Sequence, residues 1–137
     1  MTKELNPNPK NLDGAVTALD EHLSPWEKTC IKDNPNRQHF GIGMYLRNYW
    51  GLWHHSDLAV WFRNNYQIVH PDDMSGIILD RYSAYLNGKE FDIWAEVNEY
   101  HEYWKKLELF DKMLIEFDSS LCEHRKLLEA AFLKRIP

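Results

Sequence analysis

An all-α fold is the expectation for this chain: a compact bundle of about five short helices, followed by one long or two consecutive C-terminal helices. Three observations lead there. Apolar residues recur at helical spacing through residues 12–90, cap and turn residues punctuate that pattern, and the stretch from Asp92 to Ile136 contains neither proline nor glycine. With 137 residues the chain is of single-domain size and can bury a core of its own. Its expected organisation is a flexible lead-in at 1–11, a helical body at 12–90, and a C-terminal extension at 91–137 that packs on the body.

Pro7 and Pro9 sit among polar residues in the lead-in, after which Leu12, Ala15, Val16, Leu19 and Leu23 share one helical face. Ser24-Pro25-Trp26-Glu27 then joins an N-cap serine, a proline at the first helical position and a glutamate placed to close a capping box. That second helix should run to about Lys32. Asp33 to Asn36 is turn chemistry, and Ile42, Leu46, Tyr49 or Trp50, and Trp53 define a third helix that Gly41, Gly43 and Gly51 weaken. Ser56 caps a fourth, with Leu58, Trp61 and Phe62 inward and an exit near Asn64-Asn65. Tyr66 to Val69 reads as an extended link. His70-Pro71-Asp72-Asp73 opens a fifth helix, where the dipole favours acids, with Met74, Ile77, Ile78, Tyr82 and Tyr85 as its buried stripe and Asn87-Gly88 as its stop.

Beyond Asp92, the residues Val97, Tyr100, Trp104, Leu107, Phe110, Leu114, Phe117, Leu121, Leu128 and Ala131 keep a three-four spacing. Asp118-Ser119-Ser120 with Glu123 is a second capping-box pattern, so the run reads either as one helix or as two that part near Ser119.

The formal charge of −5 is spread over both halves of the chain, which speaks against nucleic acid as a partner. No stretch of about 18 apolar residues is present and the N-terminus lacks an apolar leader, so a cytoplasmic protein with no membrane partner is expected. Cys30 and Cys122 lie far apart without metal-site spacing, which suggests reduced, buried thiols. Aromatic residues make up 14% of the chain, with six tryptophans. The first reading of that figure is a rich core and the second a set of interface anchors.

Polar groups concentrate at Arg47, Asn48, His54, His55, Asp57, Arg63, Asn64, His70, Asp72 and Asp73. Imidazoles and carboxylates in one region suit zinc, iron or manganese, but adjacent histidines point apart and no HExxH or closely spaced pair pre-forms a site, so neither metal nor other cofactor is expected. Three readings of Arg47 and Asn48 are open: a buried network tying the third helix to nearby loops, a pocket walled by Trp50 and Trp53 that holds a small anion or nucleotide-like ligand, or contacts to another protein. Phosphate loops and nucleophile elbows are absent. Asp92, Glu96, Glu99 and Glu102 form an acidic stripe that is either a solvated face or, flanked by Tyr103 and Trp104, a docking surface for a basic partner.

Leu46-Arg47-Asn48-Tyr49-Trp50-Gly51-Leu52-Trp53, followed by Ser56-Asp57-Leu58 and His70-Pro71-Asp72-Asp73-Met74-Ser75, resembles a family of uncharacterised bacterial and phage-borne domains marked by RN-x-WGLW. The likeness covers roughly residues 12–90. It implies that Arg47, Asn48, Trp50, Trp53, His70, Asp72 and Asp73 matter together, without naming a chemistry for them.

Missing catalytic motifs and abundant tryptophan favour a non-enzymatic protein-binding factor, an inhibitor or immunity-like protein. Its partner would be a basic toxin or host factor, bound through aromatic and acidic helical surfaces that include Glu96, Glu99 and Trp104. The alternative is a small-ligand protein or metal-dependent enzyme built on Arg47, His54, His70 and Asp72. A homodimer through the C-terminal helix is a further expectation.

Overall fold

The computed structural model describes residues 4–133. Its elements are α1 (Leu12–His22), α2 (Pro25–Asp33), a 3₁₀ turn (Pro35–Gln38), a π-helical turn (His39–Gly43), α3 (Met44–Tyr49), α4 (Asp57–Tyr66), α5 (Pro71–Leu86) and α6 (Ile93–Leu133). The fold is all-α, with no strand among the described residues. Residues 1–100 and 101–137 form two units, so the first turns of α6 belong with the five short helices. Of the two expectations for the tail, the single helix is the one found: α6 continues through Ser119. The side chains of Asp118, Leu121, Cys122, Leu128 and Ala131 lie outside the described residues, and with them the expectations placed there, including the buried thiol of Cys122. Cys30 is a free, half-buried thiol.

Capping explains where four of the five short helices begin, α3 instead continuing from the π-helical turn without a side-chain cap. The first amides of a helix lack partners within it, and a side-chain acceptor at the N-cap supplies one. Asn11 Oδ1 accepts from Gly14 N at 2.8 Å, and Ser56 Oγ from Ala59 N at 3.3 Å. Ser24 and Glu27 form the full reciprocal box, with Glu27 N donating to Ser24 Oγ at 3.2 Å and Ser24 N to Glu27 Oε1 at 3.1 Å. At α5 the cap is an imidazole: His70 Nδ1 accepts from Asp72 N at 3.0 Å.

α5 is the central helix, in contact with α1, α2, α3, α4 and both irregular turns. Its Met74, Ile77, Ile78 and Tyr82 are buried as expected, against Leu19 of α1, Ile31 of α2, Leu46 of α3 and Phe62 of α4 within one apolar core. Each such large side chain contributes roughly 2 kcal/mol on removal from water. Polar ties lie around that core. The Asp20 carboxylate on α1 accepts from Tyr82 Oη at 3.0 Å and Tyr85 Oη at 3.3 Å, and pairs with Lys28 of α2 at 3.4 Å. Burial, together with the Asp20 charge, pushes the Tyr82 phenol well above its ordinary range.

The segment read as a lead-in is tied down where it is described. Leu5 and Pro9 are buried. Trp50 Nε1 donates to Asn6 O at 2.8 Å and Tyr49 Oη to Leu5 O at 3.1 Å. Lys10 and Asn8 both meet the exposed Asp57 carboxylate and hold its pKa below the usual value. Such anchoring comes from residues more than forty positions away, so local periodicity carries no trace of it.

Four expectations change. Tyr85 is half exposed rather than part of the α5 stripe, because its hydroxyl reaches outward to Asp20. Trp53 is exposed as well: α3 ends at Tyr49, and the chain turns through Gly51 at φ 59°, which takes Trp53 off the helical face. The exit from α4 is Gln67 in the left-handed region rather than Asn64-Asn65. Tryptophan as a class is also placed differently from the rich-core reading. Only Trp50 is buried and Trp61 is half-buried, while Trp26, Trp53, Trp94 and Trp104 are exposed.

The first turns of α6 dock through Val97 and Tyr100. Tyr100 Oη lies so close over Gly76 of α5 that a Cβ there would run into it. Gly76→Ala is expected to push the tip of the half-buried tyrosine aside, a cost partly offset by the roughly 0.5–1 kcal/mol that alanine gains over glycine inside a helix, for a net loss of about 0.5 kcal/mol. In the Tyr100→Phe background, which removes the clashing oxygen, the added cost should be smaller. Urea denaturation of the four proteins gives the coupling, and purely additive costs would contradict the contact.

Candidate functional site

Arg47 is the most constrained polar side chain in the body. Four residues from the N-terminus of α3 it would ordinarily face water, yet it is only 4% exposed. A buried guanidinium is tolerated only when its donors find acceptors. Here Nη1 donates to Ser75 Oγ at 2.8 Å and approaches His39 Nδ1 at 3.4 Å, Nη2 donates to His39 O at 2.9 Å, and Nε pairs with Asp72 Oδ1 at 3.2 Å. Ser75 Oγ passes the chain on, donating to Asp72 O at 3.0 Å. Asp72 Oδ2 also stands 3.8 Å from His70 Nδ1 and 4.0 Å from His39 Nε2.

Backbone shape makes room for this. A Cβ at Gly43 would sit 3.0 Å from Gln38 O and 3.1 Å from Arg47 Nη1, so glycine in the π-helical turn leaves space for the guanidinium to lie against it. π-helical turns are costly insertions into a helix and persist where tertiary contacts hold them. This one is held by Arg47 through its two contacts to His39 and by packing against α5.

Of the residues singled out from sequence, the structure brings Arg47, His70 and Asp72 together, with Trp53 edge-on to His70 at a ring distance of 6.0 Å. Asp73 is buried nearby. Trp50 faces the core and Asn6 instead of walling the same place as Trp53. Asn48 and His54 are exposed and make none of the contacts of the network; Asn48 O and Gly51 O instead accept the turn hydrogen bonds that follow α3. His39 and Ser75 were missed from sequence. His39, within a glycine-flanked break, carries no motif, and Ser75 closes the HPDDMS stretch without being singled out as a site residue; only the fold places the two around Arg47.

Beside the network is a cavity of about 260 Å³ lined by Pro35, Asn36, His39, Asp72, Asp73, Ser75, Gly76, Leu79, Asp80 and Tyr100. Its wall is acidic. Among the described residues no group of three or more His, Cys, Asp or Glu side chains is arranged to hold a metal ion. Glu96, expected on a solvated stripe, is drawn against Asp80: desolvation first, then a hydrogen bond to Asp80 and the charges of Asp80 and Glu99, push its pKa up to about 9. Burial similarly raises the Tyr100 phenol. Glu99 and Trp104 remain exposed, with Trp104 edge-on to Tyr103 at 5.5 Å.

A second concavity, of about 400 Å³ and more apolar, lies between α1, α2 and the π-helical turn, with Leu5, Leu19, His22, Leu23, Glu27, Gly41, Ile42, Tyr45 and Leu46 around it. Tyr45 is half exposed and stacks on Tyr49 at 5.3 Å. Trp26 and Phe40, chain neighbours of the lining residues Glu27 and Gly41, are 75% and 78% exposed, far more than rings of that size usually are. Sequence reasoning passed over Trp26, Phe40 and Tyr45.

Two predictions follow from the polar geometry. Arg47→Met is expected to cost about 2 kcal/mol, less than stranding a fully buried charge because the Asp72 side chain is 41% exposed and stays hydrated. A loss below about 0.5 kcal/mol in urea denaturation would mean that the network is not what holds this region. Glu96 gives a pH dependence: between its ordinary value of 4.5 and about 9 the folded chain keeps a proton that the unfolded chain releases. Stability therefore falls as pH rises through that window. Glu96→Gln should flatten the fall, and identical pH profiles for the two proteins would contradict it.

A family model described as a domain of unknown function, DUF6794, matches residues 8–86, which holds the network, the five short helices and every residue lining the apolar concavity except Leu5. No curated protein and no solved structure matches the chain significantly.

Proposed function

Since the chain belongs to DUF6794, a family whose description assigns no chemistry, its function must be argued from its own surface, and we propose that it is a non-enzymatic protein-binding factor of the inhibitor or immunity-like kind. The observation that supports this reading is the half-exposed Tyr45 in the wall of the apolar concavity, together with the exposed rings of Trp26 and Phe40, which directly precede its lining residues Glu27 and Gly41 in sequence. Large rings exposed next to an apolar hollow are the usual anchors of protein interfaces, where a few such residues supply most of the affinity. The fitting partner is a protein that presents apolar side chains on a helix or loop, since the lining offers few polar groups to orient a small ligand. His22 and Glu27 give the rim its polar contacts.

The enzymatic alternative has less support. Arg47, His70 and Asp72 do converge, but the guanidinium is spent on Ser75, His39 and Asp72 and leaves little to orient a substrate. The acidic stripe is also weaker as a docking face than its spacing suggests, because Glu96 turns to Asp80 and keeps its proton near neutral pH.

The test is co-purification from the native host of the wild type and of Phe40→Ala/Tyr45→Ala, both verified as folded by circular dichroism. A protein retained by the wild type should bind the double variant at least about 30-fold more weakly, corresponding to the loss of about 2 kcal/mol from a central aromatic anchor. Equal retention by both proteins, or no retained protein at all, would remove the reading.

A further inference from the structure

From Tyr103 to Phe117 the apolar residues of α6 step by four and three in alternation: Tyr103, Leu107, Phe110, Leu114, Phe117. The sequence carries the same steps on through Leu121, His124, Leu128 and Ala131, with His124 the one polar member. In a heptad the leucines hold position a, and Tyr103, Phe110 and Phe117 hold position d. An ideal straight helix drifts by about 20° per heptad against a strict seven-residue repeat, so a stripe held to that repeat stays aligned only along a helix that coils with it. Tyr103, Phe110, Leu114 and Phe117 are exposed, and Met113 beside the stripe is exposed as well.

Length narrows what can cover this stripe. From Tyr103 to Ala131 it extends about 42 Å at the α-helical rise. The next longest helix, α5, has 16 residues, about 24 Å, and its apolar side is already in the core. An α6 from another molecule has the required length and the same repeat. Charge agrees with a parallel arrangement, in which position g of one helix meets position e of the following heptad on the other. Lys106 is at g and Asp111 at e, so a symmetric pair forms this opposite-charge contact twice. The later g residues Met113, Ser120 and Leu127 are uncharged, so no like-charged g–e pair opposes it.

We infer that α6 pairs with α6 of a second copy as a parallel two-stranded coiled coil, seamed by Tyr103, Leu107, Phe110, Leu114 and Phe117. A symmetric pair of this kind presents two copies of the body, and any surface on it, to the same target. The inference is independent of the binding surface proposed above.

Light scattering on the full chain decides it. The wild type should have the mass of two copies at about 10 µM, and Leu114→Asp should have the mass of one with the circular dichroism of the body unchanged. Lys106→Glu should weaken pairing roughly fivefold and Lys106→Glu/Asp111→Lys should restore it. This charge exchange keeps the test sharp even if Leu114→Asp folds poorly. In a Cys30→Ser/Cys122→Ser background, Phe117→Cys should form an interchain disulfide, since a parallel pair places the same position of both helices in one layer. A wild type that stays monomeric at about 100 µM, or a Phe117→Cys chain that does not cross-link, overturns the inference.

Discussion

The buried guanidinium of Arg47 is the interaction on which the arrangement of the body depends. Between α2 and α4 the chain runs through a 3₁₀ turn, a π-helical turn and a helix of six residues, none of which is stable by itself. Arg47 gathers that segment onto the first turns of α5 through His39, Ser75 and Asp72. Desolvating the charge is costly, and the cost is offset only while all three partners are in place. This makes the network a positional lock, since any shift of the π-helical turn breaks several contacts at once.

Two consequences follow for the surface. Holding His39 in place fixes the backbone that turns Phe40 outward and sets Ile42 and Tyr45 along the apolar concavity. On its other side the same lock shapes the acidic cavity, where Asp72 and His39 face Asp80, Gly76 and Tyr100. Polar atoms are consumed by the lock, while rings are left uncovered beside it. That division underlies the proposal of a binding protein over an enzyme.

Much of the fold was legible in sequence because its determinants are local. Ser24 with Pro25 and Glu27, Ser56, and His70 with Pro71 announce helix starts through short-range hydrogen bonds, and the three-four spacing after Asp92 announces α6. The irregular segment was not legible, since His39 to Gly43 is held by packing on α5, including the approach of His39 to Asp72, some thirty residues away, and by Arg47, itself tied to Ser75. Of the candidate site, Arg47, His70 and Asp72 were found as a cluster, whereas His39 carries no pattern and Ser75, though it ends the HPDDMS stretch, shows its role only once the fold sets it against Arg47. The tryptophans misled for a related reason: an amphipathic period marks which positions are available for burial, but turns such as the one at Gly51 decide whether a given ring follows the stripe.

Native-state hydrogen exchange on Ser75→Ala against the wild type tests the lock most directly, because this substitution removes one acceptor from Arg47 and leaves every other side chain of the network in place. Faster exchange confined to amides of residues 39–50, with α1 and α4 unchanged, is the predicted result. Exchange that accelerates equally in every helix, or not at all, would contradict the claim that Arg47 positions this segment.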